Sequence, residues 1–126
     1  MVLEIVVERT VVDSILSYAK ILYPRESILL LRGKKDKNRL VIKDVQIPPL
    51  ATHGRSFSGF PLSRLPIDFS VVGVAHSHPS GVLLPSTTDL NKFYGKIMLI
   101  TGYPYTSEQN IAIFDRQGQP LQFSVI

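Results

Sequence analysis

Gly73-Val74-Ala75-His76-Ser77-His78-Pro79-Ser80-Gly81-Val82-Leu83-Leu84-Pro85-Ser86-Thr87-Thr88-Asp89 is the densest run of chemistry in this 126-residue chain. Residues 69–76 read as an apolar strand that runs into it. His76 and His78 stand two apart at the strand's end. Strand side chains alternate, so both imidazoles project from one face, with Cα atoms about 6.6–6.8 Å apart. That spacing lets two ring nitrogens converge on one zinc ion at about 2.0–2.1 Å. Pro79 breaks the strand and the chain turns through Ser80-Gly81. Ser86 then sits where a helix N-cap belongs and Asp89 falls in the first turn, an ordinary helix-start signal when taken alone. A carboxylate at that place can also reach back to the histidine pair. Two His and one carboxylate, with a fourth position open to water, form the donor set of a catalytic zinc. A structural zinc closes its fourth position, usually with sulfur, and this chain has no cysteine.

The rest of the composition narrows the field. The length is that of one domain, so residues 1–126 are expected to form a single compact unit. Hydrophobic residues at 44% and charged residues at 19% supply one core and too little charge for disorder. Without cysteine there are no disulfides, iron–sulfur clusters or thiol nucleophiles. No apolar run approaches the length of a membrane span, and acids stand near the N-terminus where a signal peptide needs basic residues, so a cytoplasmic location is expected. The net charge of +4 reads as a solvated surface. Lys34, Lys35, Lys37 and Arg39 form a basic cluster without interleaved aromatics, which argues for a hairpin tip and against specific nucleic-acid binding.

Outward from the histidines, residues 2–8 read as a short strand. Thr10 and Asp13 resemble a capping box, and the apolar spacing of Val11, Val12, Ile15, Leu16, Ala19, Leu22 and Tyr23 predicts an amphipathic helix over 11–23, stopped by Pro24. Residues 27–32 read as a strand buried on both faces, residues 34–38 as a charged turn, and residues 40–47 as the returning strand. Residues 48–68, with four prolines and the aromatics Phe57 and Phe60, read as a long functional loop. A helix over 86–94, a strand over 96–101 and a terminal hairpin of 111–114 with 121–125 complete an α+β domain with a mixed sheet.

The spacing His-x-His-Pro-x6-Ser-x2-Asp, filled by His76, His78, Pro79, Ser86 and Asp89, resembles the signature of the JAMM (MPN-plus) zinc metalloproteases. Pro24-Arg25-Glu26, followed by Leu30-Leu31-Arg32-Gly33, is similar to the family's stretch around its catalytic glutamate, except that Ser27-Ile28 stand where the family often has a small residue and then glycine. The resemblance implies the MPN fold, a curved mixed sheet packed with helices. It implies one zinc per chain on His76, His78 and Asp89, with Glu26 as general base and Ser86 as oxyanion donor. Of the four glutamates, Glu26 alone opens a buried central strand.

The same resemblance implies an isopeptidase or peptidase acting after the C-terminal Gly-Gly of a ubiquitin-like protein. The partner would then be a ubiquitin-like or sulfur-carrier protein and its conjugates. A neighbouring reading is a sulfur-carrier hydrolase that frees a C-terminally attached amino acid. A non-catalytic MPN scaffold would usually have lost the ligands that this chain keeps. A second zinc site could draw only on His53. The extended tail of such a substrate is expected to pair with a strand edge near 69–76, with Phe57 or Phe60 lining its groove.

Overall fold

The computed structural model describes residues 3–48, 52–53, 58–59 and 70–126. Strand β1 (Glu4–Val7) leads into helix α1 (Arg9–Leu22), and strands β2 (Ile28–Asp36) and β3 (Arg39–Gln46) follow as a hairpin. The short pair β4 (Thr52–His53) and β5 (Ser58–Gly59) is separate from the main sheet. Strand β6 (Val71–His78), helix α2 (Thr87–Asn91) and strand β7 (Ile97–Gly102) carry the motif. A 3-10 turn (Glu108–Asn110) and strands β8 (Ile111–Phe114), β9 (Pro120–Leu121) and β10 (Phe123–Val125) complete the chain. Among the described residues the main sheet has eight strands in the order β10-β1-β3-β2-β6-β7-β8-β9. It is mixed: β6 runs antiparallel to β2 and parallel to β7.

Helix α1 covers one face of the sheet. Its side chains Val11, Val12, Ile15, Leu16 and Ala19 are buried against residues such as Leu31, Ile42 and Leu99. Each Val, Leu or Ile among them contributes about 1.5–3 kcal/mol when fully buried. That packing holds the helix, because its N-cap has no side-chain hydrogen bond. The expected Thr10/Asp13 capping box is therefore not formed. The helix begins earlier, with Glu8 at the N-cap, and the Arg9 N–H donates to the Ile126 carbonyl at 2.8 Å. Thr10 lies inside the first turn, its carbonyl accepting from the Ser14 hydroxyl at 2.8 Å. On the opposite face Leu30, Val74, Met98, Ile100 and Phe114 pack with Phe93 and Leu90 from the α2 segment.

Three further expectations are corrected. The charged stretch 34–38 is mostly strand: β2 and β3 stay paired out to Asp36 opposite Arg39, and only Lys37-Asn38 turn, with Lys37 in the left-handed region. The C-terminal segment is not a simple hairpin. Residues 120–121 pair with β8, whereas 123–125 run parallel to β1 at the other edge of the sheet. One short stretch thus supplies both edge strands of the sheet. The helix expected over 86–94 is short, Thr87–Asn91.

Strand β6 has neighbours on both sides, β2 and β7, so it offers no free edge for a substrate tail along its length. Phe57 and Phe60 lie outside the described residues.

Candidate metal and proton-transfer site

Both histidines lie within β6 itself, and Pro79 ends the strand directly after them. In register, Val74 stands beside Met98 and His76 beside Ile100. Alternation therefore places His76 and His78 on the α2 face of the sheet. His76 is buried, and His78 is half-buried at the strand's end.

The turn after Pro79 aims His78. Gly81 adopts φ +84°, a conformation glycine takes without strain, and its N–H donates to the His78 carbonyl at 2.9 Å. The chain folds back so that the Val82 carbonyl lies 2.8 Å from His78 Nδ1. A carbonyl only accepts, so Nδ1 carries a proton and Nε2 is the atom turned toward the site. This arrangement, one ring nitrogen tied to a carbonyl and the other free to ligate, is the usual support of a metal-binding histidine.

Asp89 arrives from α2. Ser86 is the N-cap, its Oγ accepting the Asp89 N–H at 3.0 Å, and Asp89 Oδ2 accepts the Ser86 N–H at 2.9 Å. The capping box read from the sequence is real, and it also clamps the carboxylate. The same Oδ2 stands 3.2 Å from His78 Nε2. The helix signal and the site are one structure.

The electrostatics separate the groups. Burial drives the His76 imidazole down to about 4, with Asp89 opposing and His78 assisting, so His76 is neutral near pH 7. Burial raises the Asp89 carboxyl, but the hydrogen bonds from His78 and the Ser86 backbone and the charges of both histidines outweigh it, bringing it to about 2. For His78, burial lowers the pKa, and the bonds to Asp89 and Val82 overcome it, so the net shift is upward. Burial also raises the Glu26 carboxyl, with His78 lowering it and Asp89 raising it. Glu26 therefore lies within electrostatic reach of both partners. It sits in the segment between α1 and β2, two residues before Ile28, which pairs with His76.

The fit to zinc can be judged from the donors. Two ligands of a tetrahedral zinc at about 2.0–2.2 Å stand roughly 3.4 Å apart. His78 Nε2 and Asp89 Oδ2, at 3.2 Å, match that separation. A neutral His76 and an ionised Asp89 are in the protonation states that ligation needs. Among the described residues no three His, Cys, Asp or Glu side chains are gathered closely enough to hold a metal ion as they stand. The structure thus joins His78 to Asp89 directly, with His76 adjacent on the same strand face. By donor type, charge and His78–Asp89 spacing, the residues suit zinc.

Two participants were not singled out in the sequence. Val82 acts through its main-chain carbonyl, which no residue type could have announced. Ser77 is fully buried between the histidines on the opposite strand face, where a hydroxyl in an otherwise apolar row was the available signal.

Comparison with known proteins agrees with this arrangement. Residues 8–116 match the family described as prokaryotic homologs of the JAB domain. A probable metalloprotease of Haloferax volcanii is 35% identical over 111 residues, spanning 82% of this chain and 68% of the relative. A JAB1/MPN domain protein from Archaeoglobus fulgidus superposes with a TM-score of 0.70 at 32% identity, covering 95% of this chain and 97% of that one. A second structure, presented as JAMM, a metalloprotease-like zinc site in the proteasome and signalosome, gives a TM-score of 0.71 at 29% identity, covering 100% and 99%. The chain belongs to the prokaryotic JAB-domain family and has the JAMM/MPN fold.

Proposed function

We propose that the protein is a zinc-dependent isopeptidase or peptidase that hydrolyses the amide bond after the C-terminal Gly-Gly of a ubiquitin-like protein. The observation that carries this reading is the His78–Asp89 donor pair at 3.2 Å with the Glu26 carboxyl in its field. The ubiquitin-like substrate rests on the resemblance to the JAMM proteases.

His76, His78 and Asp89 would hold the zinc. When bound, zinc would supply a Lewis acid for the scissile carbonyl and make water acidic enough to ionise near neutral pH. The protein's own groups do the proton handling. Glu26, with its pKa raised by burial, takes a proton from the attacking water and passes it to the leaving amine. The Ser86 Oγ accepts from the Asp89 N–H, which leaves its own O–H free to donate. Ser86 is exposed and one helical turn from Asp89, and in this reading its O–H donates to the oxyanion. One such donor is worth about 2.7–4 kcal/mol. No side chain forms a covalent bond to substrate in this scheme.

Incubation with a panel of ubiquitin-like fusions, with and without chelator, read by mass spectrometry, tests the proposal. Cleavage after Gly-Gly, abolished by chelator and restored by zinc, is expected. Release only of single C-terminal amino acids would assign the sulfur-carrier reading instead. A zinc-loaded protein that cleaves no member of the panel would remove the proposed activity.

A further inference from the structure

We infer that Ser77 is the positioning residue for Glu26, fixing from the reverse side of the histidine strand the backbone from which that carboxylate departs. The inference rests on the reading of Glu26 as the proton acceptor. Ser77 lies between His76 and His78, so its side chain points to the α1 face, away from both imidazoles. It is fully buried there. The residues before it are apolar, with Ala75 on its own strand and Ile97 and Leu99 on the neighbouring one. A hydroxyl in such a row costs stability unless it is used.

Its main use is at Ser27. The Ser77 N–H donates to the Ser27 carbonyl at 3.0 Å, and the Ser27 N–H donates to Ser77 Oγ at 2.6 Å. These bonds prolong the β2–β6 pairing past the last registered pair, Ile28 with His76, but with a side chain replacing the main-chain acceptor. The Ser27 N–H belongs to the peptide plane that Glu26 shares with Ser27. Holding that plane fixes the backbone from which the Glu26 side chain departs. Among the described residues no hydrogen bond or ion pair holds the Glu26 carboxylate itself. The point from which it departs is set by the backbone, and that backbone is fastened at Ser77.

Two more hydroxyls share the pocket. Thr101 stands beside Ser77 in register, and Tyr105 packs in the same core. Thr101 Oγ1 and the Tyr105 hydroxyl are buried with no well-formed hydrogen bond among the described residues. The Ser77 hydroxyl is nevertheless close enough to Tyr105 to influence its ionisation. A Ser77 O–H turned toward these groups keeps its lone pairs directed at the Ser27 N–H, so the acceptor is oriented as well as present.

Three substitutions in the full chain test this. Ser77→Ala should keep one equivalent of zinc and its KM while kcat falls about tenfold to a hundredfold, the range for a misplaced reacting group. Ser77→Thr, which retains Oγ, should recover to within about threefold of wild type on the same scale. On a Glu26→Gln background, Ser77→Ala should cause no further loss, because Ser77 acts only through Glu26. In the metal-free protein, amide exchange at Ser27 should accelerate in Ser77→Ala and return toward wild type in Ser77→Thr. If Ser77→Ala does not fold, Ser77→Cys, with its weaker acceptor, takes its place. An unchanged kcat in the Ala or Cys variant overturns the inference, as does an equal further loss on the Glu26→Gln background. If wild type cleaves nothing, the proposed function has failed, and the Ser27 exchange data still decide whether Ser77 holds that peptide.

Discussion

Two carboxylates approach His78 from different elements, and the protein treats them oppositely. Asp89, in the first turn of α2, is buried, accepts the Ser86 N–H, touches His78 and is ionised down to about 2. Glu26, between α1 and β2, is half-buried, has its pKa raised chiefly by burial, and has no hydrogen bond of its own among the described residues. A clamped, permanently charged carboxylate suits a cation; a loosely held one with a raised pKa suits proton transfer. Environments that push two neighbouring acids apart assign them different tasks. The difference comes from local structure. Asp89 is three residues from its cap in a single helical turn, whereas Glu26 depends on contacts made by the strand across from it.

The largest effect should come from Asp89. Asp89→Ala removes the donor beside His78 and the N3 half of the capping box. We expect zinc binding and all hydrolysis to disappear together, checked by elemental analysis alongside the cleavage assay. Asp89→Asn keeps a side-chain oxygen for the Ser86 N–H and should preserve α2 while still losing the metal. A full equivalent of zinc in Asp89→Ala would break the division of labour between the two acids.

Glu26→Gln should show the opposite pattern. Zinc content stays at one equivalent and kcat falls about 10²–10⁴-fold, the usual worth of a positioned acid–base group. Because burial penalises the ionised Glu26, the amide should unfold no earlier than wild type in a thermal melt at pH 7. Wild-type turnover in this variant would show that the raised pKa marks only a half-buried surface acid.

The sequence disclosed one side of this comparison far better than the other. His76, His78, Ser86 and Asp89 lie within fourteen residues, so strand alternation and one helical turn suffice to bring them together. Glu26 is fifty residues from His76, and its place follows from the β2–β6 register, which a single sequence does not display; the family resemblance supplied it. The Val82 carbonyl was hidden because every residue has one. The Thr10/Asp13 reading failed because packing of α1 outweighs a cap, and the last strand was misread because a local hairpin pattern cannot reveal that 123–125 cross to β1. Buried runs such as 28–31 and 97–100 were legible because apolar content alone demands a two-sided core.

The smallest expected effect is on stability against pH, in the metal-free protein. His76 is held neutral by burial, with a folded pKa of about 4 against about 6.5 for an unfolded histidine. Between those values the unfolded chain binds a proton that the folded chain does not, so stability falls as pH falls through that window. Asp89 adds a second loss lower down: its folded value of about 2 lies below the unfolded ~3.9, so its contribution is present above pH 4 and vanishes toward pH 2. His78 and Glu26, both raised, act in the opposite sense and temper the first step. The net change from pH 7 to 4.5 should be a loss of stability, read as a lower urea midpoint. Glu26→Gln should leave the lower step near pH 3 in place, and Asp89→Asn should erase it. A lower step that followed Glu26 instead would reverse the roles given to the two carboxylates.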